Sequence, residues 1–77
     1  MKIRLNAKSY FEKYVPGRLS EGEIPAPKGA TIGDLLNGLE ISPQTPVLLL
    51  VNGIAKARSH ILKDSDELTL LPLMDGG

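Results

Sequence analysis

Apolar and polar residues alternate cleanly at the start of the chain. Ile3, Leu5 and Ala7 fall on one side, and Lys2, Arg4, Asn6 and Lys8 on the other, which predicts a half-buried strand over Lys2 to Lys8. Tyr10, Phe11 and Tyr14 follow at a spacing that suits one helical turn packed on a core, halted by Pro16-Gly17. Glu23 to Lys28 reads as a second strand with Ile24 and Ala26 on one face. Pro25 and Pro27 lie two apart, so both missing N–H groups fall on the same side. That side must be a sheet edge facing solvent.

The pattern then changes period. Ile32, Leu35, Leu36 and Leu39 stand at i, i+3, i+4 and i+7, one apolar stripe of a helix. Thr31 is the expected N-cap, and Asp34 three positions on completes a capping box at the positive helix end. Gly33, Asn37 and Gly38 lie off the stripe, and each glycine weakens the helix by about 1 kcal/mol. The helix is therefore expected to depend on packing against a sheet, and to end near Glu40 or Ile41, before Ser42-Pro43.

Val47-Leu48-Leu49-Leu50-Val51 is an unbroken apolar run, read as a strand buried on both faces or nearly so. Asn52-Gly53 is a strong hairpin signal, so Ile54 to Ala57 should return as a short antiparallel strand. Arg58-Ser59-His60 is read as loop with His60 in solvent, Ile61 and Leu62 as dipping back to the core, and Lys63 to Asp66 as a turn. Glu67 to Leu71 is the last strand, with Leu68 and Leu70 on one face and Thr69 and Leu71 on the other. Pairing should stop near Pro72, which has no donor to give a ladder. Leu71, Leu73 and Met74 go past what a small core needs and form an apolar strip, and exposed strips of this kind often mark partner sites.

Strand, turn, strand, helix, strand, hairpin, strand is one sheet with one helix across it. This is an α+β chain with the β-grasp arrangement, a mixed sheet of four to five strands. It divides into a domain over residues 1–72 and a flexible tail over residues 73–77.

Composition narrows the chemistry. Seventy-seven residues suffice for one small core, burying about 60–65% of the unfolded surface. Nine basic and nine acidic residues give no net field to favour nucleic acid or an anionic membrane. No apolar run approaches the ~18 residues of a membrane span, and the start lacks a signal-peptide core, so a cytoplasmic location is expected. The chain has no cysteine, which excludes a disulfide, a thiolate metal site and a cysteine nucleophile of its own. Its one histidine, His60, cannot build a metal site alone, and no nucleophile–base pair is evident, so the chain is not expected to be an enzyme. The aromatics all lie between Tyr10 and Tyr14, where a satellite cluster over one end of the core is the simplest reading.

Gly29-Ala30-Thr31-Ile32-Gly33-Asp34-Leu35-Leu36, then Val51-Asn52-Gly53, Leu62-Lys63-Asp64-Ser65-Asp66-Glu67-Leu68, Leu71-Pro72 and terminal Gly76-Gly77 together resemble the MoaD/ThiS family of ubiquitin-like sulfur carriers. Each motif is weak alone, but their order and spacing cover nearly the whole chain. Members include the small subunit of molybdopterin synthase and the sulfur carrier of thiamin thiazole synthesis.

The resemblance implies that Gly77 is adenylated by a ubiquitin-activating-type adenylyltransferase and then converted to a thiocarboxylate. It also implies that Gly76 and Asp75 belong to the reaching tail; the apolar strip makes Leu71, Pro72, Leu73 and Met74 the docking candidates, ahead of the aromatic cluster. No cofactor is bound, and ATP and magnesium are used by the activating enzyme. The sulfur acceptor would be the large subunit of molybdopterin synthase or a thiazole synthase. Glycines suit such an arm because they have no side chain to obstruct a narrow channel. Leu73 to Gly77, fully extended, spans at most ~17 Å.

The insertion from Tyr10 to Leu19 favours the molybdopterin (or tungstopterin) branch. The short helix with its Ile41-Ser42-Pro43 exit is nearer to the thiamin-type carriers. Ser65 replaces a glycine common in the Asp-Gly-Asp turn, and Leu73-Met74-Asp75 replaces the smaller residues that often precede the glycines. Two other readings share these features: a ubiquitin-like protein modifier, and a β-grasp binding module with an incidental tail.

Overall fold

The computed structural model describes residues 1–15 and 21–73, with the side chains of Ser9 and Tyr10 excepted. The sequence readings at Pro16-Gly17 and at the far end of the Tyr10 to Leu19 insertion lie outside that description, as do those at Met74, Asp75, Gly76 and Gly77.

Strand β1 (Lys2–Ala7) leads into a 3-10 helix (Ser9–Tyr14). Strand β2 (Glu21–Pro25), helix α1 (Ile32–Gly38), β3 (Val47–Val51), β4 (Ile54–Ala55) and β5 (Glu67–Pro72) follow. The strands form one mixed sheet in the order β2-β1-β5-β3-β4, with β1 and β5 parallel and the other pairs antiparallel. This is the expected β-grasp arrangement, with all five strands formed. Strand β2 begins and ends earlier than the sequence pattern suggests, and β4 stops at Ala55 rather than Ala57.

The edge position inferred from the prolines of β2 is correct. Met1 and Ala26 exchange both backbone bonds at 2.9 Å. That pair sets the phase of the ladder, so Ile24 and Ala26 turn their backbone groups to β1 while Pro25 and Pro27 face outward.

Ile3, Leu5 and Ala7 of β1, Leu49 and Val51 of β3, and Leu68 and Leu70 of β5 are buried beneath Ile32, Leu35 and Leu36 of α1. Phe11 and Val15 close one end of this core, with Tyr14 packed partly against it. The Phe11 and Tyr14 rings are tilted 36° with centroids 6.2 Å apart, and Lys13 Nζ lies 5.2 Å from the Tyr14 centroid. The segment is thus a cover for the core, though it coils as a 3-10 helix.

The capping box forms as read. Thr31 N–H donates to Asp34 Oδ2 at 3.0 Å, and Asp34 N–H donates to Thr31 Oγ1 at 3.1 Å. The helix ends at Gly38, two to three residues before the sequence estimate, because Leu39 to Ile41 form a terminating motif. Ile41 N–H donates to Leu36 O at 2.9 Å and Glu40 N–H to Asn37 O at 3.0 Å, with Glu40 left-handed at φ 63. Buried Ile41 and buried Leu36 complete this Schellman motif. Gly33 lets the loop after β4 come close: its N–H donates to Arg58 O at 2.9 Å, and a Cβ there would sit 3.4 Å from that oxygen.

Three sequence expectations are corrected. The run Val47 to Val51 is not buried on both faces: Leu49 and Val51 enter the core, whereas Leu48 is 37% exposed and Leu50 half-buried. The helix covers only one side of the sheet, and an all-apolar run does not say which residues face it. Ile61 does not join the core but is 59% exposed, while Leu62 is buried. Residues 60–62 run extended beside Ala30–Ile32, with Leu62 N–H donating to Ala30 O and Ile32 N–H to His60 O. Successive side chains on such a segment point opposite ways. His60 is half-buried rather than free in solvent.

Candidate functional site

The site candidates lie where β5 leaves the sheet. β5 is the central strand, hydrogen-bonded to β1 on one side and β3 on the other. Its alternate residues serve alternate neighbours. Asp66 O accepts from Arg4 N–H at 2.9 Å and Leu70 O from Lys8 N–H at 3.1 Å, whereas Glu67 O accepts from Asn52 N–H at 2.9 Å. The next donor toward β1 would be the N–H of residue 72, aimed at Lys8 O, but proline has none. Lys8 O instead accepts from Phe11 N–H at 3.2 Å, opening the 3-10 helix. Pro72 therefore ends the parallel ladder with β1, as its position in the sequence suggests, while still standing opposite Val47 of β3.

The same alternation sets the side chains. Leu68 and Leu70 point into the core, and Thr69 and Leu71 point to the uncovered face. On that face Leu71 stands opposite Leu48, and Thr69 opposite Leu50. Of the docking residues read from the sequence, Leu71 and Pro72 are half-buried and Leu73 is 51% exposed. Met74, Asp75, Gly76 and Gly77 lie outside the described residues.

The structure adds Leu48 and Leu50, which the sequence reading assigned to a doubly buried strand. Together with Leu71 they make an apolar row on the open face. The β1–β2 side of this face carries Lys2, Arg4 and Glu23 instead, with Arg4 in register between Glu23 and Glu67. An apolar centre with a charged margin is the anatomy of a protein-binding surface.

At the other end of β5, side-chain bonds lock two turns together. Asn52 and Gly53 both have positive φ, 52 and 85, as a type I′ turn requires. The Asn52 amide donates to Asp66 Oδ1 at 2.9 Å and its Oδ1 accepts from Glu67 N–H at 3.0 Å. Asp66 Oδ2 accepts from Lys63 N–H at 2.8 Å, and Asp64 Oδ1 from Lys2 N–H at 2.8 Å. Ser65, the residue in place of the usual glycine, is left-handed at φ 72. Its N–H donates to Lys2 O at 2.8 Å, which keeps the turn in place without glycine.

Among the described residues, no group of three or more His, Cys, Asp or Glu is placed to hold a metal ion. No helix among them is long and apolar enough to cross a membrane.

The fold and the site define a ubiquitin-like β-grasp domain whose central strand runs out beside an apolar face. The chain belongs to the ThiS family, a family of ubiquitin-like sulfur carriers, whose model matches residues 4–77. Solved structures share the fold at low sequence identity. SAMP1 from Haloferax volcanii is 20% identical, with both chains fully covered and a TM-score of 0.78. A putative molybdopterin converting factor subunit 1 from Pyrococcus furiosus is 23% identical, covers 96% of this chain and 99% of its own, and also has a TM-score of 0.78. A complex of subunits 1 and 2 of molybdopterin-converting factor from Helicobacter pylori 26695 includes a chain 19% identical, fully covered both ways, with a TM-score of 0.66. No curated protein matches the chain.

Proposed function

We propose that this protein carries sulfur as a thiocarboxylate on Gly77 and delivers it in cofactor biosynthesis, as the small subunit of a molybdopterin or tungstopterin synthase. The observation that carries the reading is the end of the β1–β5 ladder at Pro72 beside the Leu48–Leu71 row, within a chain that matches the family through Gly77. The globular body docks through that row, and residues 73–77 reach into the partner.

The chemistry needs a free α-carboxylate on Gly77. A carboxylate is a poor acyl donor, so one of its oxygens attacks the α-phosphorus of ATP and pyrophosphate leaves. A sulfide equivalent then displaces AMP from the acyl-adenylate, giving the thiocarboxylate. Transfer of that sulfur to an acceptor returns the carboxylate after hydrolysis. ATP and magnesium belong to the adenylyltransferase, and this chain contributes the acyl group and the docking surface. Its lack of cysteine accords with sulfur supplied from outside.

The molybdopterin branch is favoured by the segment between β1 and β2, whose 3-10 helix puts Phe11 in the core. A partner like the one in the Helicobacter complex, subunit 2 of molybdopterin-converting factor, fits this reading. The protein-modifier reading uses the same activated Gly77 but transfers the acyl group to a lysine amine, and the likeness to SAMP1, a small archaeal modifier protein, is what favours keeping it.

Intact mass spectrometry of the protein from its native cell tests the proposal. A mass gain equal to exchange of one oxygen for sulfur, located at Gly77, is the expected result. Only unmodified protein from cells making the cofactor would refute it, and isopeptide conjugates without thiocarboxylate would favour the modifier.

A further inference from the structure

The face around the loop that follows β4 is not used by the proposed sulfur chemistry. Ile54 and Ile61 are the two most exposed large apolar residues described, at 60% and 59%. They stand beside two adjoining depressions. One, of about 490 Å³, is lined by Met1, Lys28, Gly29, Ile61, Leu62, Lys63 and Asp64. The other, of about 180 Å³, includes Ile54, Lys56, His60 and Lys63 in its wall. Lys63 borders both, so the two form one surface.

Its charge is lopsided in a chain whose total is zero. From Gly53 to Lys63 there are three cationic side chains, one histidine and no acid. Lys56, Arg58 and Lys63 make no ion pair within the described residues. Two acids, Asp64 and Asp66, also line the depressions, with their oxygens accepting from Lys2 N–H, from Asn52 and from Lys63 N–H, and Lys28, Lys56 and Lys63 outnumber them. Two bare isoleucines set among unmatched lysines call for a partner with apolar side chains and carboxylates.

The position matters as much as the chemistry. This surface gathers at the end of the sheet where β1 and β5 begin, and the tail leaves from the other end. Between Glu67 and Pro72 β5 rises roughly 17 Å. A partner here would not contend with one holding the Leu48–Leu71 row and the tail.

We infer that the Ile54–Lys63 surface is a second docking site, which binds an acidic, apolar-containing protein segment independently of the tail. It holds a second partner while the tail is engaged, and its existence does not rest on the sulfur-carrier reading.

The test is amide chemical-shift mapping of the full labelled chain titrated with a short peptide of alternating glutamate and leucine. Saturable shifts should centre on Ile54, Lys56, Ile61 and Lys63, fade in high salt, and persist when Gly76 and Gly77 are deleted. The double variant Lys56→Glu, Lys63→Glu alters only exposed positions, and it should keep a folded spectrum and lose affinity on the order of tenfold or more. Unchanged affinity in that variant would overturn the site. So would shifts confined to Leu48, Leu50 and Leu71, equal binding of a lysine–leucine peptide, or tighter binding of a single-stranded RNA oligonucleotide.

Discussion

Asn52 and Asp66 hold the two turns at one end of the sheet together. The Asn52 amide nitrogen lies 2.9 Å from Asp66 Oδ1, and the same amide's oxygen accepts from Glu67 N–H. A residue selected by the hairpin for its positive φ is thereby also the clamp that sets where β5 begins. Asn52→Gly separates the roles, because glycine keeps the turn and loses both side-chain bonds. The bonds are exposed, so the expected loss is about 1 kcal/mol. Urea unfolding should show a lower midpoint with an unchanged slope, and equal stability would mean that the clamp contributes nothing.

Among the described residues, Glu40 and Ser65 are the other two in the left-handed region without glycine's freedom, at φ 63 and 72. Both are exposed, so a side chain there gains little from packing. Replacing each by glycine removes the Cβ clash of the left-handed conformation, partly offset by extra freedom in the unfolded chain. Glu40→Gly and Ser65→Gly should each stabilise by about 0.5–1 kcal/mol. Thermal unfolding measures it, and a lowered Tm in both would show that the native contacts of these side chains outweigh their strain.

The features legible in the sequence are those whose cause is local. Thr31 and Asp34 announce a capping box within four residues, and Asn52-Gly53 dictates a turn almost alone. Pro25 and Pro27 report an edge because a missing N–H can be tolerated only where no neighbour wants it. What stayed hidden depends on the layer above. The run Val47 to Val51 has no alternation to mark a face, so Leu48 became visible as a surface residue only once α1 was seen to cover a single side. The position of Ile61 was lost for a similar reason, since two adjacent apolar residues do not reveal that one is turned outward. The early helix stop went unseen because Glu40 stands where a glycine would have signalled the cap. The apolar strip at Leu71 and Leu73 could be read as surplus to the core, but its continuation onto β3 needed the register.

That register makes Leu48 the sharper probe of partner docking. Leu71 is half-buried, so changing it risks the fold, whereas Leu48 faces out directly opposite it. Leu48→Asp should weaken binding to the activating enzyme, and to the sulfur acceptor, on the order of tenfold or more, as loss of a central contact does. The free domain should lose no more than about 1 kcal/mol. Calorimetric titration and urea unfolding read the two effects separately. Normal binding by Leu48→Asp and Leu71→Asp alike would remove this face as the docking surface.

The reacting end can be tested with the body left intact. Gly77→Ala leaves every residue of the buried cluster around Leu68 and Leu70 unchanged, so unfolding should be unchanged. In the proposed chemistry the added methyl stands beside the carboxylate at the point where the tail must thread a partner's channel. Adenylation, followed as pyrophosphate release in the presence of the activating enzyme, ATP and magnesium, should fall below detection in Gly77→Ala and in the chain lacking Gly77. Leu48→Asp should regain adenylation at high carrier concentration, because it weakens docking and leaves the acyl group in place. Rescue of the glycine variants by concentration would instead assign Gly77 to docking, and normal thiocarboxylation of either would refute its role as the sulfur-bearing residue.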